Sequence, residues 1–183
     1  MVSRMAEKER FVSLAEATDE VEVAITRVAL LHLSFSKTLV EEFVEKNGKE
    51  LVIRSILEYG KRVGERTKRG LPDLPKYGVH GEWKDEKLYD CVLAKIFHEY
   101  GEEDVGCLYC YVDVAKSMAV DPENKVIHKD CAACGDYCCT FEQLPTTKKE
   151  RADFKNMDRN WRNVDPRLIQ GIKPKSSTKP KKR

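Results

Sequence analysis

An α+β fold, with N-terminal helices packed on a small antiparallel sheet and a cysteine-rich C-terminal half, follows from three features of the chain. Apolar residues recur at three- and four-residue steps from about Asp19 to Thr67, the period of one helix face. Short aromatic and β-branched runs follow after Lys87, separated by glycine, proline and aspartate. Helices first and strands later is the order of an α+β layer arrangement. At 183 residues and 41% hydrophobic content, the chain can bury one ordinary core. The division read from it is a polar segment over 1–18, one domain over 19–165, and a basic tail over 166–183.

The first helix is expected from an N-cap at Thr18 or Asp19, with Ile25, Val28, Ala29, His32, Leu33, Ser36, Leu39, Val40, Phe43 and Val44 on its apolar face. Asn47-Gly48 is expected to end it. On that face His32 reads as a satisfied core histidine. The second helix carries Leu51, Val52, Ile56, Tyr59, Gly60, Val63 and Gly64 on one side. Each interior glycine costs about 1 kcal/mol relative to alanine, so the strip at Gly60 and Gly64 must admit either a neighbouring helix or a ligand. Arg54 lies on the same helix, within reach of a carboxylate at the edge of such a space.

From Gly70 to Asp85 the glycines and prolines break regular structure, giving a loop long enough for a lid or crossover, with Tyr77 and Trp83 as packing residues. Strands are then expected at 87–93, 108–112, 125–128 and 137–143, with a short helix over 94–100 that ends at Gly101. Residues 146–163 return to a charged, helix-like pattern. Asp165-Pro166 marks the exit from the domain.

Charge is uneven. The net value is +2, but six of the 33 basic side chains lie between Lys173 and Arg183, leaving the body 27 basic against 31 acidic residues. Such a tail cannot bury apolar surface and is expected to be disordered. The body has no basic face and no recognition helix, which argues against a nucleic-acid partner. No uninterrupted apolar run reaches the ~20 residues that span a bilayer, and the N-terminus lacks an apolar signal core, so a cytoplasmic protein with no membrane partner is expected.

All seven cysteines fall between Cys91 and Cys139, together with His98 and His128. An odd number of clustered cysteines in such a chain fits reduced thiols better than a disulfide framework. Thiolates and imidazole are ligands that zinc or iron prefers, and a thiolate beside an imidazole is an activated nucleophile. Two constellations are possible. Cys107, Cys110, Cys131 and Cys134 have the spacing of a four-thiolate zinc site, although residues three apart on a strand face opposite ways. Cys91, Cys110 and Cys139, with His128, take one group from each expected strand, and form either a zinc or iron site or a Cys/His catalytic pair.

Four segments carry a resemblance. They are Leu57-Glu58-Tyr59-Gly60-Lys61-Arg62-Val63-Gly64-Glu65-Arg66, Gly106-Cys107-Leu108-Tyr109-Cys110-Tyr111-Val112-Asp113, Val126-Ile127-His128-Lys129 and Gly135-Asp136-Tyr137-Cys138-Cys139-Thr140-Phe141. In this order, across roughly residues 20–145, they resemble the L-2-amino-thiazoline-4-carboxylic acid hydrolase family. The last segment is also similar to the four-vinyl-reductase domain, a small-molecule and metal-binding sensor module. The resemblance implies a small-molecule substrate, a cyclic isothiourea opened to N-carbamoyl-cysteine. It matches Cys110, His128, Asp136 and Cys139 to family positions, while Cys107, Cys131, Cys134 and Cys138 are additions to the pattern.

The chemistry is consistent with that implication, because the ring carbon of an aminothiazoline is electrophilic and its sulfur leaves readily. Cys110 or Cys139 is then the expected nucleophile or metal ligand, His128 the general acid/base and Asp136 its orienting partner. Lys129 or Arg54 is expected to hold the substrate carboxylate. Asp136 also fits a hairpin turn. The alternative function is a sensor module without catalysis.

Overall fold

A computed structural model describes residues 12–71 and 81–172. Its fold is α+β, with N-terminal helices and, among the described residues after 81, two antiparallel two-stranded sheets in place of a single sheet.

Helix α1 spans Leu14–Glu42 and starts five residues earlier than the Thr18/Asp19 cap, because Ser13 and Glu16 form a reciprocal capping box. Its C-terminal half packs through Ala29, His32, Leu33 and Ser36. As expected, His32 is a core histidine: its Nε2–H donates to the Val105 carbonyl at 3.0 Å. Burial lowers its pKa and favours the neutral ring.

The break between the helices is not at Asn47-Gly48. Phe43 is extended, α2 spans Glu45–Lys68, and Asn47 and Gly48 lie in its first turn. Gly48 is needed there for close approach: a Cβ would lie 2.6 Å from the Val40 Cα.

Helix α5, Tyr111–Val120, lies along α2. The glycine strip is where they meet. A Cβ on Gly60 would come within 2.3 Å of the Ala115 Cβ, and one on Gly64 within 2.5 Å of the Ala119 Cβ. The space above Gly60 and Gly64 is filled by α5, so these residues are packing positions and not a ligand floor. Gly60→Val is expected to destabilise the protein by about 2 kcal/mol through overpacking. A lower denaturant midpoint at unchanged m-value measures it.

The 108–112 segment is helical. Cys107–Cys110 forms a 3-10 turn that runs directly into α5. Val105, Leu108, Tyr111, Val114, Ala115 and Met118 are all buried, and their three- and four-residue spacing is helical. The 87–93 segment is also corrected. Only Lys87–Tyr89 is a strand, β2, paired with β1 at Glu82–Lys84, and α3 begins at Val92 and runs to Glu99. Glu103–Gly106 forms the single-turn helix α4.

The expected strand at 125–128 is β3, Asn124–Asp130, and it pairs with β4, Thr140–Pro145. Leu88 and Cys139 exchange two backbone hydrogen bonds, so the two small sheets meet at that point. Helix α6, Lys148–Asn156, and a 3-10 turn over Arg159–Val164 complete the helix-like region, and α7, Pro166–Ile169, follows.

The core joins the inner faces of α1, α2, α3 and α5 to Trp161, Val164 and Leu168. Residues 166–172 are structured, with Arg167 and Leu168 buried, although composition groups them with the tail. The basic run 173–183, Tyr77 and most of the 70–85 loop lie outside the described residues. Trp83 is half-exposed, its ring 6.0 Å from that of Phe141. By length and composition α1 meets the requirement for a bilayer span, although the face around His32 is anchored in the core.

Candidate metal centre

Strand β3 delivers His128 to the interior. The strand breaks register between His128 and Asp130, and Cys131 follows at once. Cys131 then opens a 3-10 turn, Ala132–Cys134, which Gly135 closes at φ 88°. On the facing side, the turn that starts α5 brings Cys110 across. The ligand atoms of Cys110, His128 and Cys131 all lie within 4.8 Å of one another, and the two sulfurs are 3.6 Å apart. These three residues can hold a metal ion.

The histidine is oriented by Asp165, whose Asp-Pro pair looks in sequence like an exit from the domain. Asp165 is fully buried. One carboxylate oxygen accepts hydrogen bonds from the His128 backbone N–H and from Nδ1–H, each at 2.9 Å; the other accepts from the Arg167 and Leu168 backbone N–H groups and caps α7. With Nδ1 committed, Nε2 is the ring atom left for a ligand, the arrangement in which a carboxylate fixes a metal-binding histidine. Asp113 lies on the Nε2 side at 3.5 Å, and its side chain is about one-third exposed at 35%. Burial works against a charge on His128, but Asp113 and Asp165 outweigh it and raise the pKa well above the usual histidine value.

Asp136 does not orient His128. Its carboxylate accepts the Cys131 N–H at 2.8 Å and the Arg167 Nε–H at 2.5 Å, and both side chains of this ion pair are 5% exposed. Arg167 also donates to the carbonyls of Cys134 and Gly171. Asp136 therefore shapes the turn that presents Cys131; it is not in a type I′ hairpin turn, because Gly135 has positive φ and Asp136 does not.

The thiols extend on both sides of Cys131. Cys139 accepts a hydrogen bond from the Ala132 N–H at 3.2 Å, and its contact with Cys131, with burial, raises its pKa. The Cys131 contact and burial likewise raise Cys110. Cys134 lies against Cys107 and Cys131 and is pushed up to about 12, first by Cys107. Cys91 is one step further out, packed with Leu88 and Cys139, and burial pushes it up to about 12. Of the expected metal set, Cys110 and His128 come together, Cys139 adjoins through Cys131, and Cys91 is outside. The 3-10 turn over Cys107–Cys110 also removes the objection to that CxxC pair, since residues three apart eclipse on a 3-10 helix.

The two residues expected to hold a carboxylate are elsewhere. Lys129 is exposed on the side of β3 opposite His128, 4.0 Å from Glu142. Arg54 lines a surface dent with Glu50, Asp158 and Arg159, and no member of the Cys/His group lines it.

Fold and centre together define an α+β protein with a buried, carboxylate-supported Cys/His group able to bind metal. Compared with family models, curated proteins and solved structures, the chain matches none. The hydrolase resemblance thus rests on the four motifs alone.

Proposed function

We propose that this is a metal-binding domain in which Cys110, Cys131, Cys139 and His128 hold one zinc ion. The observation that carries the reading is the convergence of the Cys110, His128 and Cys131 ligand atoms within 4.8 Å. Zinc–sulfur bonds of about 2.3 Å place tetrahedral sulfurs about 3.8 Å apart, close to the 3.6 Å between Cys110 and Cys131. Cys139 lies against Cys131 but outside the three-residue group, and its thiol would turn toward the ion to supply the fourth group. Zinc takes thiolates and imidazole without geometric preference, whereas iron sites of the same donors add redox chemistry that no observation here requires. Four protein ligands close the coordination sphere, which suits a structural or sensory role. Seven free thiols suit a reducing compartment and hence the cytoplasm.

Elemental analysis of anaerobically purified protein tests this directly. Zinc near one per chain is expected, and its apparent affinity should rise with pH, because the raised thiols of Cys110 and Cys139 must lose protons to bind. Less than a tenth of an equivalent, with no uptake on titration, would sink the reading.

A second reading keeps the hydrolase and is favoured by Asp113. Its partly exposed carboxylate beside Nε2 is placed to carry a proton at the rim of the centre. In that case Cys139 stays on the Ala132 N–H, and the position it leaves admits water and a small thiazoline-type substrate. Ring opening of L-2-amino-thiazoline-4-carboxylate by the zinc-loaded protein, abolished in Asp113→Asn with zinc retained, separates the two readings.

A further inference from the structure

Before Ala29, over about four turns, α1 has no buried residue: Ala17, Thr18, Val21, Ile25 and Thr26 are half-buried and the rest are exposed. An isolated helix of that length is marginal in water. Yet these turns are far from featureless. Leu14, Ala17, Val21, Ala24, Val28 and Leu31 alternate steps of three and four, a seam separate from the residues that enter the core. Leu14 is 68% and Leu31 58% exposed.

We propose that α1 pairs antiparallel with α1 of a second copy of this chain. The size pattern selects the direction. Antiparallel pairing centred between Glu22 and Val23 sets Val21 against Ala24 and Val28 against Ala17, with Leu14 against Leu31 at both ends. Each larger side chain then meets a small one inside the seam. Parallel pairing would stack Ala17 on Ala17 and Ala24 on Ala24, leaving two loose layers, and would bring the acidic stretch Glu16, Asp19, Glu20 and Glu22 against itself.

Charge fixes the same register. Glu20 and Arg27 flank the seam on one side, both exposed and neither ion-paired within the chain among the described residues. In the antiparallel register Glu20 of each copy faces Arg27 of the other, giving two equivalent pairs as a two-fold interface requires. The overlap, residues 14–31, is about 27 Å long. It ends where each body begins, so the bodies lie at opposite ends. A bilayer fits less well. The stretch of α1 apolar enough to span one carries Arg27 and Lys37 and includes Ala29, His32, Leu33 and Ser36, which are buried in the core, whereas lipid favours helices apolar all round.

Sedimentation equilibrium of the full chain is expected to show a reversible dimer with a micromolar dissociation constant. Leu31→Glu, which alters two layers at once, should yield a monomer whose near-ultraviolet spectrum, dominated by the buried Trp161, is unchanged. Arg27→Glu should weaken the dimer about tenfold, and Glu20→Arg combined with it should restore the affinity to within about twofold. A monomer at about 100 µM overturns the proposal. So does a dimer indifferent to Leu31→Glu and to both charge changes, and so does flotation with phosphatidylglycerol vesicles in place of self-association.

Discussion

Asp165→Ala is expected to lower the stability of the metal-free protein by about 3–5 kcal/mol, the cost of removing one partner of a buried charged pair. Four backbone or ring N–H groups converge on this carboxylate, and all four lose their acceptor at once. The ring of His128 loses its orientation, and α7 loses its cap. Asp165→Asn should cost less, because the amide oxygen keeps two of the four bonds, but it removes the negative charge. The pH dependence then reports the pair. His128 has a raised folded pKa, so its contribution is complete below the unfolded histidine value of about 6.5 and disappears as pH rises through the folded value. Wild type should therefore lead Asp165→Asn most at mildly acid pH and least at alkaline pH. Denaturant unfolding across that range decides it; a constant difference would mean that the imidazole is not charged in the fold.

Cys131→Ser is expected to have the largest effect on metal. Cys131 is the sulfur that touches both Cys110 and Cys139, so its loss breaks the centre at its middle. Zinc affinity should fall by at least about 100-fold, beyond the 10- to 100-fold typical of changes in groups that support a ligand. The stabilisation that excess zinc gives wild type, about 2.7 kcal/mol when the free metal stands at 100 times the dissociation constant, should vanish from the variant's melting curve. Cys138→Ser is the control, since its thiol is not among the contacts of the centre, and it should keep full zinc stoichiometry. Equal loss in both variants would point to general damage in the cysteine-rich turn.

Much of this arrangement was legible in the chain. His128 on a strand, a second strand reaching 143, the core role of His32 and a grouping of Cys110 with His128 were all read from the sequence, although Cys110 was placed there by a strand that is a helical turn. The errors have particular causes. Leu108-Tyr109-Cys110-Tyr111-Val112 looks like a strand when five residues are weighed for propensity, but the helical spacing of Val105, Leu108, Tyr111, Val114 and Met118 needs fourteen to be seen. That one misreading also set Cys107 and Cys110 on opposite faces and drew attention away from Cys131. Asn47-Gly48 looked like a terminus because glycine permits positive φ, whereas Gly48 is there for its missing Cβ. Asp165 was hidden for another reason: it reaches His128 across 37 residues, and no local period records such a bond.

The anchoring of Arg167 has a practical corollary. Someone trimming the protein by composition would cut at the Asp165-Pro166 boundary, discarding what looks like the root of a basic appendage. That cut removes the guanidinium that clamps the Cys131–Cys134 turn and the backbone amides that hold the Asp165 carboxylate in place. A fragment ending at 165 should be poorly soluble and metal-poor, while one ending at 172 should behave as the intact chain does. Residues 166–172 are the keystone of the arch, though they resemble its scaffolding.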